Sequence, residues 1–295
     1  MTNIQINQSV QHTMVESTQE TLTTAPDNVS LPETYGQLII IGGAEDKEGE
    51  CKILREFVRR AGGLQAQIVV MTVATGDPRG AGDRYTDIFR RLGAENIRVV
   101  NTLRREDASH PDAIAAISQA TGIFFTGGDQ ARILDLLKDS ELDVAMHKRF
   151  SEGIVIAGTS AGAAMMPDKM IVEGESETHA RPDAVTMDRG MNFLPNVIID
   201  QHFSQRGRLN RLLSAVALEP ATLGFGIDEN TAIVVHGHVI EVIGEGSVTI
   251  VDEEDATYNN VNQLLKDEAL ALCGIKLHVL PNGYRFDLKT RSCIC

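Results

Sequence analysis

Between Gln37 and Met166, short uninterrupted apolar runs alternate with segments whose apolar residues recur at helical spacing. The runs are Leu38-Ile39-Ile40-Ile41, Ile68-Val69-Val70-Met71, Ile123-Phe124-Phe125 and Ile154-Val155-Ile156, and Ile97-Arg98-Val99-Val100, broken once by Arg98, reads as a further strand. Strands that are apolar at every position are buried on both faces, which is the property of a parallel sheet with helices above and below it. Between the runs, Ile53, Leu54, Phe57, Val58 and Ala61 outline one helix, and Tyr85, Ile88, Phe89 and Leu92 another. His110-Pro111 opens a third, with proline at its first position, and Ile133 to Leu137 marks a fourth. The pattern predicts a three-layer α/β/α fold with a mostly parallel, doubly wound sheet. Ligands of such sheets gather outside the carboxyl ends of the strands. Gly42-Gly43, Ala74-Thr75-Gly76, Gly127-Gly128 and Ser160 all stand at those ends.

Residues 153–166 are the most informative stretch. A β-branched strand ends in Gly158-Thr159-Ser160-Ala161-Gly162, and the alanines and methionines after it favour a helix. This is a G-x-S-x-G in the strand–turn–helix setting of a nucleophile elbow. Its small residues suit a cramped turn that lifts Ser160 Oγ clear of the sheet. The plain alternative is a tight connection with a serine cap. A nucleophilic serine needs a base and a group that orients the base. Seven of the eight histidines fall in the tail, on helices, in loops or in late strands. His202 follows Ile198-Ile199-Asp200-Gln201 at a strand end, expected in the same sheet as Ser160. Asp228, Glu229, Glu173, Glu175 and Glu177 are the candidate orienting carboxylates, and strand alternation puts Asp228 and Glu229 on opposite faces. For the oxyanion, the elbow supplies the N–H of Ala161, and Gly127-Gly128 offers a second donor, assigned to Gly128. The order Ser160, His202, Glu229 departs from the α/β-hydrolase order, in which the acid precedes the histidine. It suits a sheet of the class I glutamine amidotransferase kind.

Arg206, Arg208 and Arg211 follow His202 closely in a chain of net charge −14. Cations at a helix start oppose its dipole, so the cluster calls for a compensating anion. Guanidinium forks suit carboxylates, which points to a substrate with a free carboxylate. Asp200, Glu173 and Glu175 nearby are placed to hold a cationic group.

Beyond residue 190, more strands are expected, with 238–243 and 248–251 as an antiparallel appendage and a hairpin of 277–280 with 284–288 around Pro281-Asn282-Gly283. Together they form a small C-terminal β extension. Residues 1–35 are polar and aperiodic and read as a flexible tail without chemistry, leaving 36–295 as one domain. The acidic balance and 4% aromatic content, without tryptophan, oppose nucleic-acid binding. No apolar run reaches membrane-spanning length, and no secretory segment opens the chain. Cys51, Cys273, Cys293 and Cys295 show no zinc spacing, so no metal is expected and reduced thiols in a cytoplasm are the default. A nucleotide-binding module is the non-enzymatic alternative. It rests on Gly42-Gly43 alone, with neither G-x-G-x-x-G nor a Walker A sequence.

Five segments together resemble a known family: Ile41-Gly42-Gly43-Ala44-Glu45-Asp46-Lys47, Phe125-Thr126-Gly127-Gly128-Asp129-Gln130, Gly158 to Ala163, Asp200-Gln201-His202-Phe203-Ser204-Gln205-Arg206-Gly207-Arg208 and Gly226-Ile227-Asp228-Glu229-Asn230. In order and spacing they are similar to the cyanophycinases, which group with the peptidase E serine peptidases. The resemblance covers roughly residues 36–290. It implies Ser160 as nucleophile, His202 as base and Glu229 as the residue orienting it. It also implies Gln130, Asp200, Gln201, Arg206, Arg208 and Arg211 around the substrate. The family cleaves cyanophycin, a poly-aspartate with arginine on each β-carboxyl, to β-aspartyl-arginine dipeptides. Its members are cofactor-free homodimers. A peptidase E-type dipeptidase acting on small aspartyl peptides is the alternative, disfavoured by the arginine cluster.

Overall fold

The computed structural model describes residues 36–176 and 178–294. The proposed tail, Glu177 and Cys295 lie outside the described residues. Strand β1 (Gln37–Ile41) leads through helix α1 (Lys52–Arg60) to β2 (Gln67–Met71), and α2 (Pro78–Arg91) leads to β3 (Asn96–Val100). Helix α3 (Pro111–Gln119) precedes β4 (Gly122–Phe125), and α4 (Gln130–Leu137) with α5 (Glu141–Ser151) precedes β5 (Val155–Thr159). One helical turn, α6 (Ala161–Ala164), follows, then β6 (Lys169–Gly174), β7 (Val185–Arg189), β8 (Val197–Gln201) and α7 (Leu209–Leu218). The remaining strands are β9 (Leu223–Ile227), β10 (Thr231–His236), β11 (Val239–Gly244), β12 (Ser247–Asp252), β13 (Tyr258–Asn259), β14 (Leu272–Cys273), β15 (Lys276–Pro281), β16 (Arg285–Asp287) and β17 (Ser292–Ile294).

The largest sheet has nine strands in the order β17-β16-β11-β10-β1-β5-β4-β2-β3. From β1 to β3 neighbouring strands are parallel, as the alternating pattern predicts. From β1 through β10, β11 and β16 to β17 they are antiparallel. The sheet is therefore mixed rather than mostly parallel, because tight turns such as His236-Gly237-His238 let β10 and β11 pair directly. A second sheet, β15-β12-β9-β8, replaces the expected small extension. The expected C-terminal hairpin is also corrected. Its turn exists, with Tyr284 N donating to Pro281 O at 3.2 Å, but β15 joins β12 while β16 joins β11. The chain crosses between sheets there, and Leu280 and Phe286 bury into one core from the two sides.

Alternation along β1 shows how the layers meet. Ile39 and Ile41 point to one face, where α1 and α2 bury Phe57, Tyr85 and Phe89 against Phe124, with ring centroids 4.6–5.9 Å apart. Leu38 and Ile40 point to the other, where α3, α5 and the inner face of the second sheet close a larger core. The outer face of that second sheet is covered by α7 and by the β6–β7 pair, through Leu212, Val216, Ile171 and Val185. Helix α6 stops after one turn because Met166 precedes Pro167, and the residue before proline disfavours helical backbone.

Candidate active site

Ser160 sits between β5 and α6 with φ 53° and ψ −112°. A non-glycine residue there carries strain on the order of 1–3 kcal/mol, and such strain collects at functional sites. The flanking glycines are required by contact: a Cβ on Gly158 would lie 2.1 Å from Gly162 O, and one on Gly162 2.7 Å from Phe125 O. The turn is locked by Ser160 N donating to Ile41 O at 3.1 Å, and by Ala163 and Ala164 N–H groups donating to Ser160 O at 2.9 Å.

His202 reaches Ser160 from a different sheet from the one expected. Strand β8 pairs in parallel with β9 in the second sheet, and the backbone clamps that pair to the end of β1. His202 N donates to Gly42 O at 2.8 Å, and Asn230 N donates to Gly43 O at 2.9 Å. Gly43, at φ +101°, leaves room for the imidazole: a Cβ there would stand 2.3 Å from His202 Cε1. Gly42-Gly43 thus serves to seat the histidine.

Ser160 Oγ lies 2.9 Å from His202 Nε2, and His202 Nδ1 lies 2.6 Å from Glu229 Oε1. A carboxylate only accepts, so the ring proton sits on Nδ1 and Nε2 is left to accept from the serine hydroxyl. Glu229 is held in turn: its N–H donates to Gln205 Oε1 at 3.0 Å. Asp228 points the other way, accepting from Ser204 N at 3.0 Å and from Ser247 N and Oγ at 3.1 and 3.0 Å. The two residues stand past the end of β9 at Ile227, in the turn that follows, and take different partners there. Glu175 pairs with Arg181 at 2.9 Å and Glu173 is exposed, so neither touches the imidazole. Burial holds the His202 pKa below its ordinary 6.5, with Arg206 adding to the effect and the Glu229 bond opposing it.

A cavity of about 250 Å³ opens on Ser160 and His202 and is lined further by Glu45, Lys47, Arg84, Tyr85, Thr126 and Gly127. A Cβ on Gly127 would stand 3.9 Å from Ser160 Oγ, so this backbone faces the serine. Asp129 accepts from Ala131 N at 2.9 Å, capping α4. Gln130 donates its amide to Ile171 O at 3.1 Å and Val172 O at 2.5 Å, which ties α4 to β6 and leaves its carbonyl oxygen available. A larger hollow of about 670 Å³ beside β3 is lined by residues such as Asp107, His110 and Asp112 and by no serine, threonine or cysteine.

The arginine cluster divides. Asp200 is fully buried and receives Arg211 Nε at 3.0 Å, Arg211 Nη2 at 2.6 Å and Arg208 Nη1 at 3.3 Å. Arg208 also donates to Gln201 O at 2.6 Å, and Arg211 to Gly174 O at 3.2 Å. Asp200 thus supplies a buried anion to both Arg208 and Arg211. Burial lowers the Arg208 pKa to about 10 even beside that carboxylate. Gln201 is buried as well, while Arg206 is exposed and makes no ion pair among the described residues. Asp200→Asn would leave two guanidinium groups facing a neutral amide, and removing one partner of a buried pair costs about 3–5 kcal/mol. A urea titration checks this. A loss under about 1 kcal/mol together with weakened substrate binding would return Asp200 to the substrate.

Sequence reasoning missed the group beneath the serine. Glu45 is buried and accepts from Tyr85 OH and Thr159 Oγ1, each at 2.5 Å, with Lys47 Nζ 2.9 Å away. Burial pushes the Tyr85 hydroxyl well above its ordinary pKa, and the Glu45 charge reinforces this, so it stays a donor. The charged run Glu45-Asp46-Lys47, one residue beyond the strand-end pair Gly42-Gly43, was the available signal.

The model of peptidase family S51 matches residues 38–243. A cyanophycinase of Geminocystis herdmanii is 41% identical over 257 residues, 86% of this chain and 94% of that protein. One of Trichormus variabilis is 40% identical over 261 residues, 88% of each chain. Among solved structures, a peptidase from an acI-B1 Actinobacterium superposes with a TM-score of 0.66 at 20% identity, covering 86% of this chain and 98% of the other. A putative peptidase E protein of Listeria monocytogenes gives 0.52 at 15% identity, with 71% and 98% covered. The two structures share the α/β peptidase fold with its mixed sheet, and the family match together with relatives at about 40% identity places this chain among the serine-type peptidases of family S51.

Proposed function

We propose that the chain hydrolyses cyanophycin, the substrate named by its relatives, to β-aspartyl-arginine dipeptides, with Ser160, His202 and Glu229 as the catalytic residues. The observation that carries this reading is the Ser160–His202–Glu229 relay, with contacts of 2.9 and 2.6 Å at a strained elbow. In this reading Ser160 Oγ attacks the scissile carbonyl carbon while His202 Nε2 takes its proton. The tetrahedral oxyanion is received by the N–H groups of Ala161 and Gly128. His202 then protonates the leaving amine, the C–N bond breaks, and an acyl ester remains on Ser160. Water, deprotonated by His202, opens the ester and the proton returns to Ser160. Glu229 keeps the imidazole in the required tautomer and stabilises its charged form. Exposed Arg206 pairs with a substrate carboxylate, and Gln130 offers its free carbonyl to a substrate donor. Gln201, next to His202 in sequence and buried, is the remaining candidate for a substrate contact.

The finer architecture belongs to this proposal too. We read β1 to β5 with helices on both faces as a three-layer core of the amidotransferase kind, and residues 36–295 as one catalytic domain working as a homodimer in a cytoplasm. No helix among the described residues is long and apolar enough to cross a membrane. Mass spectrometry of products after incubation with purified cyanophycin tests the substrate. β-Aspartyl-arginine dipeptide supports it, whereas turnover of small aspartyl dipeptides alone points to the peptidase E-type activity.

The pH profile follows from the histidine. A base works unprotonated, and burial lowers the His202 pKa, so the acid limb of kcat/KM is expected below pH 6.5. Arg206 disfavours the imidazolium, so Arg206→Ala should raise that pKa and move the limb toward higher pH, as well as weakening binding. Rate profiles of both proteins between pH 4.5 and 8 check the direction. A limb that stays in place would remove Arg206 from the surroundings of the base.

A further inference from the structure

The cavity at Ser160 continues past it. Lys47 and Arg84 line that cavity and also a second hollow of about 600 Å³, walled by Glu48, Asp87, Ile88 and Arg91. Arg84, Asp87, Ile88 and Arg91 are spaced three, four and seven residues apart on α2, which puts them on one face of the helix. The charges along that face therefore run positive, negative, positive. Lys47 and Glu48 repeat the alternation on the other wall.

These groups are placed to meet something else. Among the described residues, the side chains of Glu48, Arg84 and Asp87 make no ion pair or hydrogen bond, although oppositely charged neighbours at this spacing commonly pair. Lys47 is preset: its ammonium is held by Glu45 at 2.9 Å and lies 5.8 Å from the centre of the Tyr85 ring. Glu45 in turn holds Thr159, the residue before the nucleophile. Arg91 fixes the same loop by donating to the Lys47 carbonyl. The groove is thus anchored to the elbow.

We propose that this groove is an extended subsite for further units of a zwitterionic polymer on the α2 side of Ser160, an inference that rests on the substrate reading above. Each unit of that polymer presents one free carboxylate and one guanidinium. A polyanion would meet Glu48 and Asp87, and a polycation would meet Lys47, Arg84 and Arg91. Only a chain that alternates in sign satisfies all five. From Arg84 to Arg91 the helix rises about 10 Å, and an extended backbone advances about 3.3–3.6 Å per residue, so the stripe spans about three units.

The test compares kcat/KM on long polymer with kcat/KM on a two-unit oligomer, for wild type, Arg84→Glu and Asp87→Lys. Each reversal is expected to lower the polymer-to-oligomer ratio about fivefold, because exposed ion pairs are individually weak and a reversal adds repulsion. The difference should shrink in high salt, where exposed charges are screened. Ratios within twofold of wild type in both variants remove the subsite and leave the substrate reading intact. A wild-type protein inert toward the polymer removes that reading, and the subsite with it.

Discussion

Ser160→Ala is expected to lower turnover of the polymer about 10⁴- to 10⁶-fold, since the attacking oxygen is gone and no neighbouring hydroxyl occupies its place. The residual rate would come from binding and oxyanion donors alone. The fold should survive, because the elbow is held by backbone bonds from Ser160 N and to Ser160 O rather than by the hydroxyl. A sharper companion is Ser160→Gly. Glycine adopts φ 53° without the steric penalty of a Cβ, so strain on the order of 1–3 kcal/mol is relieved. Against this, glycine loses about 0.5–1 kcal/mol more chain entropy on folding. The inactive glycine variant should therefore be more stable than wild type by about 1 kcal/mol. Denaturant midpoints and steady-state rates measured on the same preparations check both halves. A loss of less than about tenfold in either variant would take Ser160 out of the chemistry.

The second large effect is at Glu229. Glu229→Gln keeps size and hydrogen-bonding capacity but replaces a pure acceptor with a group that also donates. Donation to Nδ1 fixes the proton on Nε2, where it blocks acceptance from Ser160. The analogous exchange of aspartate for asparagine in a serine protease triad lowers turnover by about 10⁴, and a similar fall is expected here. Glu175→Gln serves as the control, because Glu175 pairs with Arg181 and makes no contact with the imidazole. Its rate should stay within a factor of two. A steep fall for Glu175→Gln with Glu229→Gln near wild type reverses the assignment.

Stability and catalysis are joined at one place behind the site. His202 follows directly on the end of β8. Asp200 turns inward to Arg208 and Arg211, and Arg208 returns to the Gln201 carbonyl. The charge cluster therefore braces the strand end that carries His202. Arg211→Ala, which a surface placement would make harmless, is expected to destabilise the protein for the same reason as Asp200→Asn.

Local chemistry was enough to identify several features from the amino-acid order. The apolar runs determined β1, β2, β4 and β5 because a strand buried on both faces leaves few polar positions, whereas β3 carries Arg98 and lies half exposed at the edge of the sheet. Gly158-Thr159-Ser160-Ala161-Gly162 determined the elbow, since carbonyl oxygens within 3 Å of the missing Cβ atoms exclude larger residues. Tertiary structure alone decided what depends on partners distant in sequence. Strands of the second half carry apolar residues that fit either sheet, so only the pairing of β12 with β9 and β15, and of β11 with β10 and β16, settled where they belong. Whether an arginine binds substrate or the protein depends on what lies within hydrogen-bond reach and on its burial. Arg206 and Arg208 are two residues apart and meet opposite fates, because one faces water and the other faces Asp200 in a core where an unpaired charge is not tolerated.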